Sequence, residues 1–559
     1  MKTSGHPIVR GLKRRVKPHV LDLLDLLGVP HAFTRSPEIF ASLKRLARPA
    51  PARDTGPRIL VVSFRGAWLL HGAWEALIAE ALRRRGARPT LFVCSGGLPE
   101  ALPGKAPACG IAGAQIAGPS SCADCLDCAQ SLARALDLPT LRLDDIVPAP
   151  RARELMQTVD GTAAQDLRGL SHRGFPIGEY VQNSARWFLC VSDLAGTPEG
   201  EGVVRAFAKS AMVVAEAAPA LLDRVCPDAV LMLNGLFFAE RIVKAEAERR
   251  GLRVVSYERG FMPDTLCFSE SIPGYYAIDR LWQRVRDVPL TPAQEAELDD
   301  YLADRRKGLR APFNYWPTLT DDDRQVLSAL HLDPKRPTAV LFSNITWDSA
   351  AQDRDRAFTD MYAWVVDSVR LFAARPETQL VIRVHPAEVR VPGWHTRDPL
   401  VPRLHATFPE LPGNVRIVSP DSDLSSYTLM RLSRCGLVYS STAGLEMAME
   451  GIPTVVAGFV HYAEKGFTAD PATPAAYAEA VREALSLPRD AARRERARRY
   501  GHALFFRNFF PFPLVSENPP DFVPTLIATD PAVLDPGGDP TLDLVCRGIL
   551  EGGDFFVEG

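Results

Sequence analysis

The sequence is poor in cysteine, in charge of one sign and in long apolar runs. Ten of its 559 residues are Cys, too few for a disulfide scaffold. Lys and Arg number 65 against 67 Asp and Glu, a formal net charge of -2. That balance excludes a globally basic nucleic-acid coat, so any polyanion site must be local. No uninterrupted apolar run reaches the roughly 18–20 residues that span a bilayer. Residues 20–29 read VLDLLDLLGV, and Asp22 and Asp25 interrupt what would be the apolar centre of a secretory signal. The expectation is a cytoplasmic protein that binds no nucleic acid. What is present is a 46% hydrophobic chain, a globular composition long enough for two or more cores.

Residues 1–55 read as a basic helical N-terminal extension. Lys13, Arg14, Arg15 and Lys17 precede the apolar segment 20–27. Such a pair of segments either rests peripherally on an anionic inner-membrane surface or is a solvated helix packed on the body. Residues 56–285 form a first α/β domain. Its strands are expected at 58–64 (RILVVSF), 90–94, 229–233 and 253–257, with helices between. Continuous apolar strands alternating with helices indicate a parallel, doubly wound sheet. A Cys-rich insertion occupies 94–128. Residues 286–335 read as a helical connection. A second Rossmann-like domain follows at 336–500, with strands at 338–342, 379–384, 436–440 and 454–457. The Phe- and Pro-rich tail, 501–559, is expected to pack across both domains. Two such domains face each other across a cleft, and their ligands bind at the carboxyl ends of the strands.

The most informative segment is 436–458, GLVYSSTAGLEMAMEGIPTVVAG. A strand ends in Ser440, Ser441 and Thr442, a helix follows, and Gly451 stops it. Hydroxyls at a strand-to-helix junction suit an anion such as a phosphate, although Ser and Thr there are also ordinary helix caps. Glu446, one turn into the helix, is placed to accept hydrogen bonds from sugar hydroxyls. In 379–386, QLVIRVHP, Arg383 sits in an apolar strand, costly unless paired. His385 at its carboxyl edge is a donor for a phosphate or base.

An R-x-H-P strand end followed by SSTxGLExAxxGxP resembles the nucleotide-sugar domain of bacterial capsular polysaccharide glycosyltransferases. It is similar to the capsule Kdo transferases and more loosely to the polysialyltransferases. Segments 341–350, LFSNITWDSA, and 458–467, GFVHYAEKGF, resemble the same group. The resemblance covers residues 225–500. It implies the GT-B architecture, two Rossmann-like domains with the donor held mainly by the second. It also implies that His385 and Ser440–Thr442 hold the donor phosphates and Glu446 the ribose. Arg383, His461 and Lys465 add contacts, Asn344 faces the cleft, and Trp347 and Asp348 border the sugar. The resemblance implies a nucleotide-sugar donor, CMP-linked by the nearest likeness with UDP and GDP open, and a surface glycan or glycolipid as acceptor. GT-B enzymes need no catalytic metal, so Asp421-Ser422-Asp423 reads as a helix cap.

The first domain then brings the acceptor and a base. Glu258, at the end of strand 253–257, is the first candidate: a carboxylate in an apolar cleft has its pKa raised. Glu240 is the second and His71 the third. His172, Arg173 and Glu179, in the Gly/Pro-containing segment 171–180, are candidate acceptor contacts.

Five Cys fall between 94 and 128. Cys122, Cys125 and Cys128 form C-x2-C-x2-C, and Cys109 makes four thiolates, enough for a structural zinc or an iron–sulfur cluster. The alternative is a helix carrying reduced, partly buried Cys. Three other functions compete with glycosyl transfer. They are a nucleotide-sugar epimerase on this scaffold, a non-catalytic nucleotide- or glycan-binding protein of a capsule assembly complex, and a metal-dependent redox protein.

Overall fold

The computed structural model describes residues 37–47, 55–66, 68–94, 122–195, 198–270, 278–310, 319–348, 354–390, 395–518 and 524–558. The basic segment around Lys13–Lys17 and its membrane contact, and residues 95–121 of the Cys-rich insertion, lie outside them. Among the described residues no helix is long and apolar enough to cross a membrane.

The first sheet contains β1 (Arg58–Val62), β2 (Arg88–Val93), β3 (Thr140–Arg142), β4 (Ala229–Leu233), β5 (Arg253–Arg259) and β6 (Thr265–Glu270). The second contains β7 (Thr338–Phe342), β8 (Gln379–Arg383), β9 (Val415–Val418), β10 (Cys435–Val438) and β11 (Thr454–Val456). A late strand, β12 (Phe510–Pro511), returns to the first sheet, whose order is β12-β6-β5-β4-β1-β2-β3; the second runs β11-β10-β7-β8-β9. Read from its own first strand, each sheet steps outward two strands and then crosses to the other side, the 3-2-1-4-5 order of a doubly wound dinucleotide fold. The crevices therefore open beside β1 and β4 in one domain and beside β7 and β10 in the other.

The strand sequences account for this. Along β1, Ile59 and Val61 enter one core cluster, and Leu60 and Val62 enter the opposite one. Along β7, Val340 and Phe342 face one cluster, and Ala339 and Leu341 the other. A strand apolar on both faces is stable only when helices cover both. Fully burying each Val or Leu contributes about 1.5–3 kcal/mol. The first sheet is not wholly parallel, as the alternation had indicated: β6 runs antiparallel to β5, and β12 to β6. Both short additions continue the sheet past β5, where no crossover helix is needed.

The helices Asp279–Val285 and Pro292–Arg306 pack into the second domain's core, with Leu281, Trp282, Leu298 and Leu302 buried there. Beyond Phe510 the chain packs on both cores: Leu542, Val545 and Ile549 of the helix Pro540–Glu551 join the first domain's, and Phe556 joins the second's.

One glycine fixes the loop after β1. A Cβ on Gly66 would lie 2.1 Å from the backbone oxygen of Cys125 and 2.9 Å from the Cβ of Ala129. The loop thus lies directly on the helix Cys122–Leu136. Gly66→Ala is expected to destabilise the chain by about 1–3 kcal/mol through overpacking. The midpoint of urea unfolding measures it; an unchanged midpoint would mean that the helix yields freely.

Candidate functional site

A cavity of about 390 Å³ lies between the two domains. From the first domain it is lined by Trp68 and His71 beyond β1, Asn234 and Phe237 beyond β4, Glu258 and Arg259 at the end of β5, and Trp187 of the helix Ile177–Leu189. From the second come Asn344 and Asp348 beyond β7, His385 beyond β8, Ser440, Ser441 and Thr442 beyond β10, and Phe459 and His461 beyond β11. The two crevices marked by strand order face each other and make one chamber.

On the second domain's wall, donors gather at the Ser440–Thr442 turn and at His385, beside the Asp348 carboxylate and His461, whose Nδ1 bonds the Tyr500 hydroxyl at 2.9 Å and leaves Nε2 an acceptor. The Asn344 side-chain amide donates to the Ser440 hydroxyl at 2.6 Å, linking the first and fourth strands of that sheet. The Ala387 N–H donates to Nδ1 of His385 at 3.1 Å. That nitrogen therefore carries the lone pair, and the neutral ring's proton sits on Nε2. Burial, and secondarily Arg383, lowers the His385 pKa to about 4, so the ring is neutral at pH 7 and acts as an N–H donor. The helix after Thr442, Ala443–Met449, has seven residues, too short for its dipole to carry anion binding alone.

On the first domain's wall the Glu258 carboxylate is held as an acceptor. The Asn234 Oδ1 accepts from the Leu236 N–H at 3.0 Å, which turns its amide nitrogen to Glu258 Oε2 at 2.7 Å. Glu258 Oε1 accepts from the Arg259 N–H at 3.0 Å. Burial raises the Glu258 pKa against these hydrogen bonds, and Asp348 across the chamber raises it further. Arg259 is itself held by Glu517 of the tail, Nε to Oε2 at 2.6 Å.

Behind this wall runs a second chain. The Tyr257 hydroxyl donates to Glu75 Oε1 at 2.7 Å, so its oxygen accepts from His71 Nδ1 at 3.2 Å. His71 then holds a lone pair on Nε2. Burial, then Arg65 and Arg259, lowers its pKa to about 3. Burial raises that of Glu75 from 4.5 to about 7. A carboxyl raised in the folded state contributes stability fully present below pH 4.5 and lost as the pH rises through 7. Glu75→Gln keeps an acceptor for Tyr257 and removes the ionisation. The variant is expected to gain on the wild type between pH 5 and 8, by up to ~3 kcal/mol. Urea midpoints at the two pH values measure this, and a pH-independent difference would contradict it.

The chamber brings together Glu258, His71, Asn344, His385, Ser440, Ser441, Thr442 and His461. His71 stands in the first turn of the helix Leu69–Arg84 rather than in a loop. Other sequence candidates lie elsewhere. Glu240 is closed in a buried pair with Arg65, Nη2 to Oε2 at 3.0 Å. Arg383 donates to the carbonyls of Ser419 and Ser422 at 2.8 and 3.1 Å, fixing the turn that carries Asp421 and Asp423. The cap of the next helix, Ser426–Leu432, is Ser425 and not an Asp. Lys465 pairs with Asp279. His172 and Arg173 both bind Glu216, at 2.8 and 2.6 Å, and Glu179 is exposed; none of the three lines the chamber. Trp347 is buried, its Nε1 donating to Thr396. Glu446 accepts from Arg305 at 2.9 Å and lines a second cavity of about 500 Å³ with Tyr427, Arg306 and Lys307. The turn Ser440–Thr442 thus lines one cavity and the helix it caps lines the other.

The four-thiolate expectation falls partly outside the described residues. Cys125 and Cys128 are buried on one helix, while Cys109 and the side chain of Cys122 lie outside the described residues. Among those described, no group of three or more His, Cys, Asp or Glu is placed to hold a metal.

Sequence reading missed Trp68, Trp187, Phe237 and Asn234 as cavity residues. Trp68 and Asn234 each follow an apolar strand, the position where ligand residues gather. Trp187 comes from a helix that no local signal ties to the cleft.

No protein-family model matches this chain, and no curated protein matches it significantly. Among solved structures it is similar to a beta Kdo 2,4 transferase, KpsC, of Thermosulfurimonas dismutans. The identity is 16% over 55% of this chain and 87% of that one, with a TM-score of 0.33. It is similar also to a UDP-GlcNAc 2-epimerase of Neisseria meningitidis solved with UDP-GlcNAc, at 10% identity over 80% and 99% of the chains, TM-score 0.25. A spinosyn rhamnosyltransferase solved with the spinosyn aglycone gives 12% identity over 80% and 96%, TM-score 0.24. These scores are low, and the assignment of the fold rests on strand order. Two facing sheets of 3-2-1-4-5 order, with a chamber at their carboxyl ends, make this a GT-B protein, of glycosyltransferase-like fold.

Proposed function

We propose that the chain is a glycosyltransferase that moves a sugar from a nucleotide-sugar donor to a surface-polysaccharide or glycolipid acceptor. The observation that carries this is the polarity of the chamber. N–H and hydroxyl groups of His385 and the Ser440–Thr442 turn in the second domain face the Glu258 carboxylate and the His71 imidazole of the first. His385 Nε2, Ser441 and Thr442 take the phosphates; Asn344 orients Ser440. The leaving phosphate gains charge as the glycosidic bond breaks, and donors already aimed at it stabilise that charge without reorganisation. The nucleoside lies along the helix Ala443–Met449 toward Glu446 and Tyr427. Glu258 takes the proton of the acceptor hydroxyl; burial lifts its basicity toward that task.

A panel of CMP-, UDP- and GDP-sugars, read by thermal shift and by nucleotide release, tests the reading. A saturating ligand at a hundredfold its Kd adds about 2.7 kcal/mol to stability. No shift with any member would refute it. A changed, free nucleotide sugar would identify an epimerase, and binding without turnover a non-catalytic nucleotide-binding protein.

A further inference from the structure

The first domain's wall carries an aromatic surface that neither the donor nor the base uses. Trp68, Trp187 and Phe237 all line the chamber. Their ring centroids are 5.4 Å apart for Trp68–Trp187, 5.4 Å for Trp187–Phe237 and 6.2 Å for Trp68–Phe237. Phe237 is buried, while both tryptophans are only half-buried. Arg65 stacks against Trp68 and Phe237, 5.1 and 4.5 Å from the ring centroids. The cluster is thus braced by the guanidinium that Glu240 holds, which fixes the rings before any ligand arrives. Half-exposed tryptophans beside carboxylate and imidazole acceptors offer two contacts at once: a flat π face for C–H groups, and acceptors for hydroxyls.

The charges nearby narrow the ligand. Arg65 is closed on Glu240, and Arg259 on the fully buried Glu517. Glu258 and Asp348 face the same space, near enough that Asp348 raises the Glu258 pKa. His71 is neutral at pH 7. A carboxylate-bearing sugar entering here would meet two carboxylates and two cations already paired.

Resting on the proposed transfer reaction, we infer that Trp68 and Trp187 form the acceptor subsite and that its occupant is a neutral pyranose. The ring's axial C–H face lies on Trp187, Trp68 walls its edge at an interplanar angle of 53°, and the hydroxyl to be glycosylated points to Glu258. Acidic saccharides are disfavoured by the same wall.

The test uses the full chain, with cellotetraose, mannotetraose and chitotetraose as neutral probes and tetragalacturonate as the acidic one. Saturation-transfer NMR reads the contact, and intrinsic fluorescence reads the affinity. At least one neutral probe is expected to bind through its axial ring protons and to shift the tryptophan emission. Trp187→Ala should weaken it about tenfold, the loss of one good stacking contact, and Trp187→Phe should recover most of it. The Phe variant separates lost stacking from lost folding. Tighter binding of tetragalacturonate, no binding of any neutral probe, or equal binding by Trp187→Ala would overturn the inference. Nucleotide titration of the wild-type chain is read separately. Its failure removes the donor reading and leaves the saccharide result standing.

Discussion

Glu258→Gln is expected to abolish sugar transfer while leaving donor nucleotide binding within about twofold of wild type. The substitution keeps the side chain's size and its contact with Asn234, whose amide still meets a carbonyl oxygen, at the loss of the acceptor for the Arg259 N–H. What it removes is the site that takes a proton. A positioned general base contributes about 10²–10⁴-fold to a rate, so kcat should fall by that order with little change in donor affinity. The pH profile provides the control. The wild-type rate should rise as the pH passes the raised Glu258 pKa, because only the ionised carboxylate accepts a proton, and Gln should flatten that limb. Full activity in the variant would place the base elsewhere. His71 would then be the next candidate, since its Nε2 lone pair is set by the chain through Tyr257 to Glu75.

His385→Ala should do the reverse. It removes the one donor on the second domain's wall whose tautomer the backbone fixes, through the Ala387 N–H on Nδ1. A hydrogen bond to a charged group is worth about 1.5–3 kcal/mol, so nucleotide affinity should fall roughly tenfold to a hundredfold. Because the neutral ring acts as a donor, the ratio of wild-type to variant affinity should stay flat between pH 6 and 8 and change only when the ring protonates at lower pH. Calorimetric titration of both proteins with the best-binding nucleotide measures it. Equal affinity would remove His385 from the phosphate site.

The fold was legible in the sequence where strands are long and apolar on both faces. The strands over 58–64, 229–233, 338–342 and 379–384 have no other stable place than a covered parallel sheet. Shorter strands were not legible. Thr140–Arg142 has three residues, Val415–Val418 carries Arg416, and Phe510–Pro511 takes part only because β6 offers an open edge. Such segments pair through tertiary context rather than pattern. The lining of the chamber was legible where chemistry and strand ends coincide, as at His385, Ser440–Thr442 and Glu258. Charged residues misled most. Arg383, Glu240 and Lys465 carry the chemistry of a site, yet each is consumed by a partner that sequence spacing does not reveal. A buried charge must be paired; for the buried Arg383 and Glu240, and for the partly buried Lys465, the partner is protein. The aromatic wall was hidden for the opposite reason, because Trp187 reaches the chamber from a helix more than a hundred residues from Trp68.

Crystals of the chain grown with UDP, CMP and GDP in turn would bear most directly on the facing-domain arrangement. The expected result is a nucleotide whose phosphate oxygens lie within hydrogen-bond distance of His385 Nε2 and the Ser441 or Thr442 hydroxyl, with its nucleoside toward Glu446. A nucleotide bound away from the Ser440–Thr442 turn, or phosphates held by the first domain, would contradict it.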